Sequence, residues 1–283
     1  NGLKMNPSPH LLKYSILILA VLFQSYAYAQ QEPLTREAMM KFKALENLSI
    51  TENGEWIGYT ADPERGNPEA VVRSVLDTTK YVIERGKNPE FSKDGKWAAI
   101  KILPDAVEIK NEGMSKLADK VKLALLNTET GAVDTFENVS RFVFSNDSRW
   151  LAYNESGIKP VPDKDKTKDS KIAGGKVFLY SIENEALLEL NDVTEFSFDS
   201  TARYFAYVRA DESGKKNGLF YIDLRASFSP PKAVFAGENI YFSELSWNNQ
   251  NSNLAFVSGK ANEKNRPDSC SVYIWSSQAS AID

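Results

Sequence analysis

A ten-residue unit recurs five times along this chain, and no other feature restricts its fold as much. The copies are ITENGEWIGY (50–59), FSKDGKWAAI (91–100), FSNDSRWLAY (144–153), FDSTARYFAY (198–207) and WNNQNSNLAF (247–256). Aligned on a small residue, they bring Gly58, Ala99, Ala152, Ala206 and Ala255 into register, at spacings of 41, 53, 54 and 49. Two positions earlier stand Trp56, Trp97, Trp150, Tyr204 and, in the one degenerate copy, Asn253. A period of about 50 residues built from strand-forming segments marks an array of repeated supersecondary units.

Each copy reads as a hairpin. Asn53-Gly54 and Asp94-Gly95 supply the positive-φ conformations that tight connections demand. Asp147-Ser148 and Thr201-Ala202 supply them less well, so those two turns are expected to differ. In the strand after the turn, Trp56, Gly58 and Thr60 point to one face while Ile57 and Tyr59 point to the other. Both faces are apolar, so the strand expects cover on both sides. The small residue beside the aromatic leaves room for a bulky side chain from the neighbouring sheet. On that ground the tryptophans are packing elements rather than ligand-stacking platforms, with Trp97 expected deep in its repeat.

Two more strands follow each hairpin, as in VVRSVLDTTKYVIE (71–84), KLALLNTETGAVDTF (122–136) and KVFLYSIENEALLEL (176–190). The fourth copy stretches this second hairpin, GLFYIDLRASFSPPKAVFA (218–236), around Pro230-Pro231. Four strands per unit, each sheet sandwiched by its neighbours, describe an all-β chain: a β-propeller of four-stranded blades rather than a sandwich or open solenoid. About five blades are expected over 47–283, with an incomplete ring, and SVYIW (271–275) reads as the opening strand of a sixth.

The flanks carry other signals. Met5 reads as a start; Lys13, the eight-residue apolar run Ile16 to Phe23 and Ala27-Tyr28-Ala29 then make a basic, an apolar and a cleavage region. Residues 1–29 are therefore expected to be read-through residues plus a secretory signal peptide, which points to a secreted or periplasmic protein. The run is far short of the ~20 residues that span a bilayer, so no membrane span is expected after cleavage. Residues 30–46 read as a lead-in whose LTREAMMKFK (34–43) forms one short helix, with Thr35 as its N-cap. KNEGMSKLADK (110–120) reads as a short helix or a loop.

Without residues 1–29 the chain keeps 254 residues and a net charge of −6 with interspersed signs, which argues against a nucleic-acid partner. A chain of that size buries about 70–75% of its unfolded surface and needs no disulfide. Cys270 is the only cysteine and reads as a small buried side chain. The only histidine is His10, so the mature segment holds no imidazole for a Ser-His-Asp triad, a Cys-His dyad or a histidine-ligated zinc. Neither G-x-S-x-G nor a phosphate-binding glycine loop occurs. In DKDKTKDSKIAG (163–174), Asp163, Asp165, Thr167 and Asp169 alternate like calcium ligands. Lys168 and Gly174 stand where that loop needs a glycine and a bidentate glutamate, so it reads as a solvated charged loop. Asp211-Glu212 reads as a solvated turn. No catalytic, cofactor-binding or metal-binding residue and no cofactor is assigned within these residues.

The stretch LTREAMMKFKALENLSITENGEWIGYTADPERG, followed by GKNPEFSKDGKWAAIKI, resembles the start of bacterial secreted serine peptidases of the prolyl oligopeptidase family. The blade motif is shared with TolB-like propellers; the LT-x-E-x-MMKFK lead-in is more particular. The resemblance implies an N-terminal propeller that screens peptide substrates for a C-terminal α/β-hydrolase domain carrying the serine, aspartate and histidine. That domain is not among these residues, so this segment is expected to be inactive alone and to serve peptide hydrolysis by a longer parent protein. A stand-alone periplasmic propeller that binds a protein or envelope ligand, as TolB-like proteins do, is the alternative.

Overall fold

A computed structural model of the chain describes residues 42–155, 173–225, 229–250, 252–277 and 281–282, together with Thr35 and Met39. The expected signal peptide (1–29) and most of the calcium-like loop, with Asp163, Asp165, Thr167 and Asp169, lie outside the described residues. Of the expected lead-in helix, Met39 is helical and its N–H donates to the Thr35 carbonyl at 2.9 Å.

Residues 43–283 form one compact unit of antiparallel sheets. Blade 1 is β1 (Lys43–Ile50), β2 (Trp56–Pro63), β3 (Glu69–Ser74) and β4 (Lys80–Glu84), paired in chain order. Its first strand starts within the stretch 30–46 read as lead-in. Blade 2 is β5 (Gly86–Phe91), β6 (Trp97–Ile102), β7 (Lys122–Asn127) and β8 (Val133–Phe136). Between β6 and β7 lie helix α1 (Ala106–Glu112) and two 3-10 turns, Met114–Lys116 and Ala118–Lys120.

Blade 3 takes β9 (Val139–Phe144), β10 (Trp150–Glu155), β11 (Gly175–Ser181) and the start of the 13-residue β12 (Ala186–Phe198). That long strand serves two blades. Ala186 to Leu190 pair with β11 as the outer strand of blade 3, and Glu195 to Phe198 pair with β13 (Tyr204–Arg209) as the inner strand of blade 4. Blade 4 continues with β14 (Gly218–Asp223) and β15 (Lys232–Ala236). Blade 5 is β16 (Ile240–Trp247), β17 (Asn253–Lys260), β18 (Ser271–Ser276) and β19 (Ala281–Ile282). SVYIW therefore does not open a sixth blade: it is β18, paired with β17 from Asn253↔Ser276 to Ser258↔Ser271. Among the described residues the arrangement is a β-propeller of five blades in an open ring.

Strand alternation explains how the blades stack. In β10, Trp150 and Ala152 belong to the cluster shared with blade 4, where Phe196, Phe205, Tyr207 and Ile222 meet them. Leu151 and Tyr153 belong to the cluster shared with blade 2, against Leu123 and Leu125. Blades 1 and 2 meet through Ala70, Val72, Ala98 and Ile100, and blades 4 and 5 through Val208, Leu219, Leu254 and Phe256. The recurring small residue faces the following blade. At Gly58 a Cβ would come within 3.0 Å of the Pro89 ring, so glycine is needed there. Trp150 is buried, whereas Trp56 and Trp97 are only half-buried, so Trp97 sits less deep than its place in the repeat suggested. Cys270 is likewise exposed, because the segment joining β17 to β18 runs over the surface.

The turns explain the rest of the motif. A side chain at the end of each inner strand accepts the N–H five residues on. Trp56 donates to Thr51 Oγ1 (3.1 Å), Trp97 to Ser92 Oγ (3.1 Å) and Trp150 to Ser145 Oγ (3.0 Å). Tyr204 donates to Asp199 Oδ1 (2.6 Å) and Asn253 to Asn248 Oδ1 (3.0 Å). The hydroxyls of Thr51, Ser92 and Ser145 in turn donate to Asn53, Asp94 and Asp147, each at 2.6 Å. All five turns place one residue at positive φ: Gly54 (72°), Gly95 (74°), Ser148 (61°), Ala202 (55°) and Ser252 (49°). The turns at Ser148 and Ala202 therefore do not differ, contrary to expectation. A non-glycine residue there costs about 1–2 kcal/mol, and bonds between blades offset it. The Asp94 N–H donates to Ser148 Oγ at 3.0 Å, and Ser252 Oγ donates to Asp199 Oδ2 at 2.7 Å.

Two stability predictions follow from this geometry. Trp150→Ala should cost about 3–5 kcal/mol in denaturant unfolding, as for other truncations of buried aromatics, and Trp97→Ala clearly less. Equal losses would mean that burial does not set the cost. Gly54→Ala, with open space around its Cβ position, should cost about 1 kcal/mol from backbone strain alone. Gly95→Ala would also press on Thr51 at 3.0 Å and should cost about 2–3 kcal/mol. Matching values for the two glycines would show that the turns of blades 1 and 2 are not in close contact.

Candidate functional site

The first strand of each blade is the inner one, and at two blade junctions first strands lie side by side, β1 beside β5 and β12 beside β16. By the propeller architecture these are the strands that border the central channel of the open ring. Eleven residues before the recurring small residue, this wall carries Asn47, Asn88, Arg141, Glu195 and Glu244. Every member of this collar is polar. Three of them, Asn47 (52°), Asn88 (53°) and Glu244 (58°), sit at positive φ where β1, β5 and β16 shift register against their partners. Such bulges turn backbone N–H groups out of the ladder.

The preceding blade receives those N–H groups. The Asn88 N–H donates to Thr60 Oγ1 at 3.1 Å. The N–H groups of Glu244 and Leu245 both donate to the Glu195 carboxylate, at 2.9 and 2.7 Å. Burial pushes the Glu195 carboxyl above the usual carboxylate range; the two backbone donors and Arg141 oppose this, and Glu244 adds to it. The Arg141 guanidinium lies 5.2 Å over the Phe196 ring, which holds the cation at the channel wall.

At the turn end of the channel, the inner-strand ends of blades 1, 2 and 3 line an open cavity of ≈ 320 Å³. Three equivalent segments line it: residues 49–52, 90–93 and 143–146. Burial also raises the pKa of Glu90 in this wall, with Lys101 opposing. A second cavity of ≈ 420 Å³ lies beside Asn67, Glu69, Glu84, Arg85 and Asp105. Its polar groups have structural work. Asp105 caps α1 by accepting from the Val107 N–H (2.8 Å) and from Asn67 Nδ2 (2.9 Å), while Asn67 Oδ1 accepts from the Ala106 N–H (2.7 Å).

Asp211, expected to be merely solvated, organises its own loop: it accepts from the Lys216 N–H at 2.7 Å and from the Ser213 hydroxyl. Asn265 Nδ2 of blade 5 donates to its carbonyl at 3.0 Å. No group of three or more His, Cys, Asp or Glu residues among the described residues is placed to hold a metal. No described helix is long and apolar enough to cross a membrane. The collar and Glu90 escaped the motif search because neither belongs to the ten-residue unit's turn or second strand. Extending the repeat alignment eleven residues upstream of the small residue would have exposed both.

The Glu195 carboxyl binds its proton more tightly in the folded chain than in the unfolded one. Its contribution to stability is therefore full below the ordinary carboxylate pKa of 4.5 and falls as pH rises through the raised folded value. Glu195→Gln should remove that part of the pH dependence. The difference in stability between variant and wild type should shift in favour of the variant as pH rises from 4.5 toward neutrality. A difference that stays constant would show that Glu195 titrates normally.

Neither a family model nor a curated protein matches this chain. Among solved structures, one of two prolyl endopeptidases is similar with 12% identity and a TM-score of 0.48, over 97% of this chain and 41% of that one. The β-propeller domain of the Trilobed protease from Pyrococcus furiosus gives 13% identity and 0.46, over 86% and 70%. A eukaryotic initiation factor gives 13% and 0.50, over 83% and 53%. Acylaminoacyl peptidase from Pyrococcus horikoshii and TolB from Acinetobacter baumannii match at lower scores. This chain thus spans about two fifths of the length of that prolyl endopeptidase.

Proposed function

We propose that this chain is the substrate-gating propeller of a secreted or periplasmic serine peptidase of the prolyl oligopeptidase type. The observation that carries the reading is the channel wall, with its collar of Asn47, Asn88, Arg141, Glu195 and Glu244. A polar-lined passage between rigid blades can admit an extended peptide, whose amide groups need hydrogen-bond partners, and turn away a folded protein. The lead-in LTREAMMKFK and the repeated turn-aromatic motif support the same family. Catalysis belongs to a separate α/β-hydrolase domain of the parent, since residues 11–283 hold no histidine to act as general base.

The test begins with the gene, read through to its stop codon. The reading expects an α/β segment with G-x-S-x-G on a strand-to-helix turn, followed by an aspartate and then a histidine. The complete protein should cleave short chromogenic peptides and spare a folded protein substrate, while the present chain alone should cleave neither. A frame without such a segment would overturn the peptidase reading and leave the TolB-like one, a propeller that binds a protein or envelope ligand. Peptide turnover by the present chain alone, surviving serine-inhibitor controls for contaminants, would overturn the division of labour.

A further inference from the structure

The five repeats serve as internal controls, because what all blades share is what packing requires. Nine residues before the small residue, blades 1, 3, 4 and 5 carry Ser49, Val143, Ser197 and Ser246. Each lies opposite its blade's small residue across the first two strands, as Ser49 opposes Gly58 and Val143 opposes Ala152. Blade 2 alone has a carboxylate there, Glu90, opposite Ala99. Four blades pack without one, so packing does not explain it.

Its surroundings are also unlike those of a structural carboxylate. No described residue donates a hydrogen bond to Glu90 or forms an ion pair with it. The nearest opposing charge, Lys101, has its ammonium on the Ser140 carbonyl at 2.8 Å. The other charged groups of the cavity, Glu52 and Lys93, face each other at 4.0 Å. Its hydroxyls are engaged as well: Ser49 Oγ donates to the Pro89 carbonyl at 2.8 Å, and those of Thr51, Ser92 and Ser145 hold the turns. The rest of the lining is Ile50, Phe91, Val143 and Phe144, with Asn146, whose Nδ2 donates to the Ser200 carbonyl at 2.9 Å. Glu90 is partly exposed at the mouth of this depression, and an unspent carboxylate beside apolar side chains is complementary to a cation on an alkyl stem.

We propose that the cavity at the turn end of the channel binds an alkylammonium group, with Glu90 as its counter-ion and hydrogen-bond acceptor. Desolvation of Glu90 strengthens the pairing, because a carboxylate partly stripped of water gains more from a cation. The source of the ammonium, the side chain of a lysine in a peptide occupying the channel, rests on the peptide-gating reading; the site itself does not.

Calorimetric titration of the full chain tests both. The probes are n-butylammonium chloride, acetyl-Ala-Lys-Ala-Ala-amide, Ala-Ala-Ala-Ala-amide with a free amino terminus, and its acetylated form, which lacks an ammonium. Butylammonium and the lysine peptide should bind at least about tenfold more tightly than the acetylated alanine peptide, as expected for one charge-assisted hydrogen bond. Glu90→Ser, the residue three other blades use, should erase that preference without lowering the melting temperature, and Glu90→Gln should do the same while keeping the shape. Preference for the free-terminus alanine peptide over the lysine peptide would assign the site to amino termini instead. Glu90-dependent binding of butylammonium with no peptide binding would uphold the site and refute the peptide path. Absence of any binding, or a preference that survives both substitutions, would overturn the proposal.

Discussion

Everything in this structure depends on one contact: the second strand of a blade packing against the neighbouring sheets, on both faces in blades 2, 3 and 4. Leu151, Ala152, Phe205 and Ala206 are fully buried because β10 and β13 are covered on both faces. Backbone pairing holds each blade together, whereas blade meets blade mainly through apolar side chains, with a few polar bonds such as those to Glu195 and Ser148. At roughly 25 cal/mol per Å² of apolar area removed from water, such interfaces are the main source of cohesion between units with few backbone bonds in common. The first and last faces show the same rule from the other side. Leu45 and Val82 of blade 1 and Val272 and Ile274 of blade 5 carry the residue types of an interface, yet stay exposed on faces that no described blade covers.

The turns are a second, polar layer that holds register. An acceptor at the end of the inner strand captures the amide of the residue that opens the second, and this repeats from Thr51–Trp56 to Asn248–Asn253. The identity of the acceptor drifts from hydroxyl to carboxylate to amide while the bond persists. The same holds for positive φ, which passes from Gly54 and Gly95 to Ser148, Ala202 and Ser252. Turn geometry is imposed here by the sheets on either side and by neighbouring turns. Residue preference is the weaker influence, which is why the expectation drawn from Ser148 and Ala202 failed.

Functional character enters where the repeats disagree. The collar residues share polarity but not sign: asparagines on blades 1 and 2, an arginine on blade 3, glutamates on blades 4 and 5. Glu195 is partly consumed in fastening blade 5 to blade 4, so one residue serves both architecture and channel electrostatics. Glu90 is tied to nothing comparable. A conserved scaffold position that carries an unshared charge is where a repeat protein can add chemistry without losing its packing.

How much of this was legible beforehand follows from range. The repeat, the four-strand unit and the alternation of Trp56, Gly58 and Thr60 against Ile57 and Tyr59 are local patterns, and periodicity in the chain determined the propeller class by itself. Burial is not local. Trp97 and Trp150 occupy the same repeat position, yet the neighbouring sheets cover the second more completely. Cys270 looks like a core residue in isolation and is exposed because its segment crosses the surface. The assignment of SVYIW needed the pairing of β18 with β17, since an apolar run does not say which strand of a blade it is. The 13-residue β12 runs on through Asp192, which sits at positive φ (62°), and only tertiary pairing divides it between two blades. The collar and Glu90 stand at fixed offsets in the chain, but an offset becomes a channel wall only when five inner strands are brought side by side. The physical reason is the same throughout: side-chain direction is set by the strand, whereas what a side chain meets is set by the next blade.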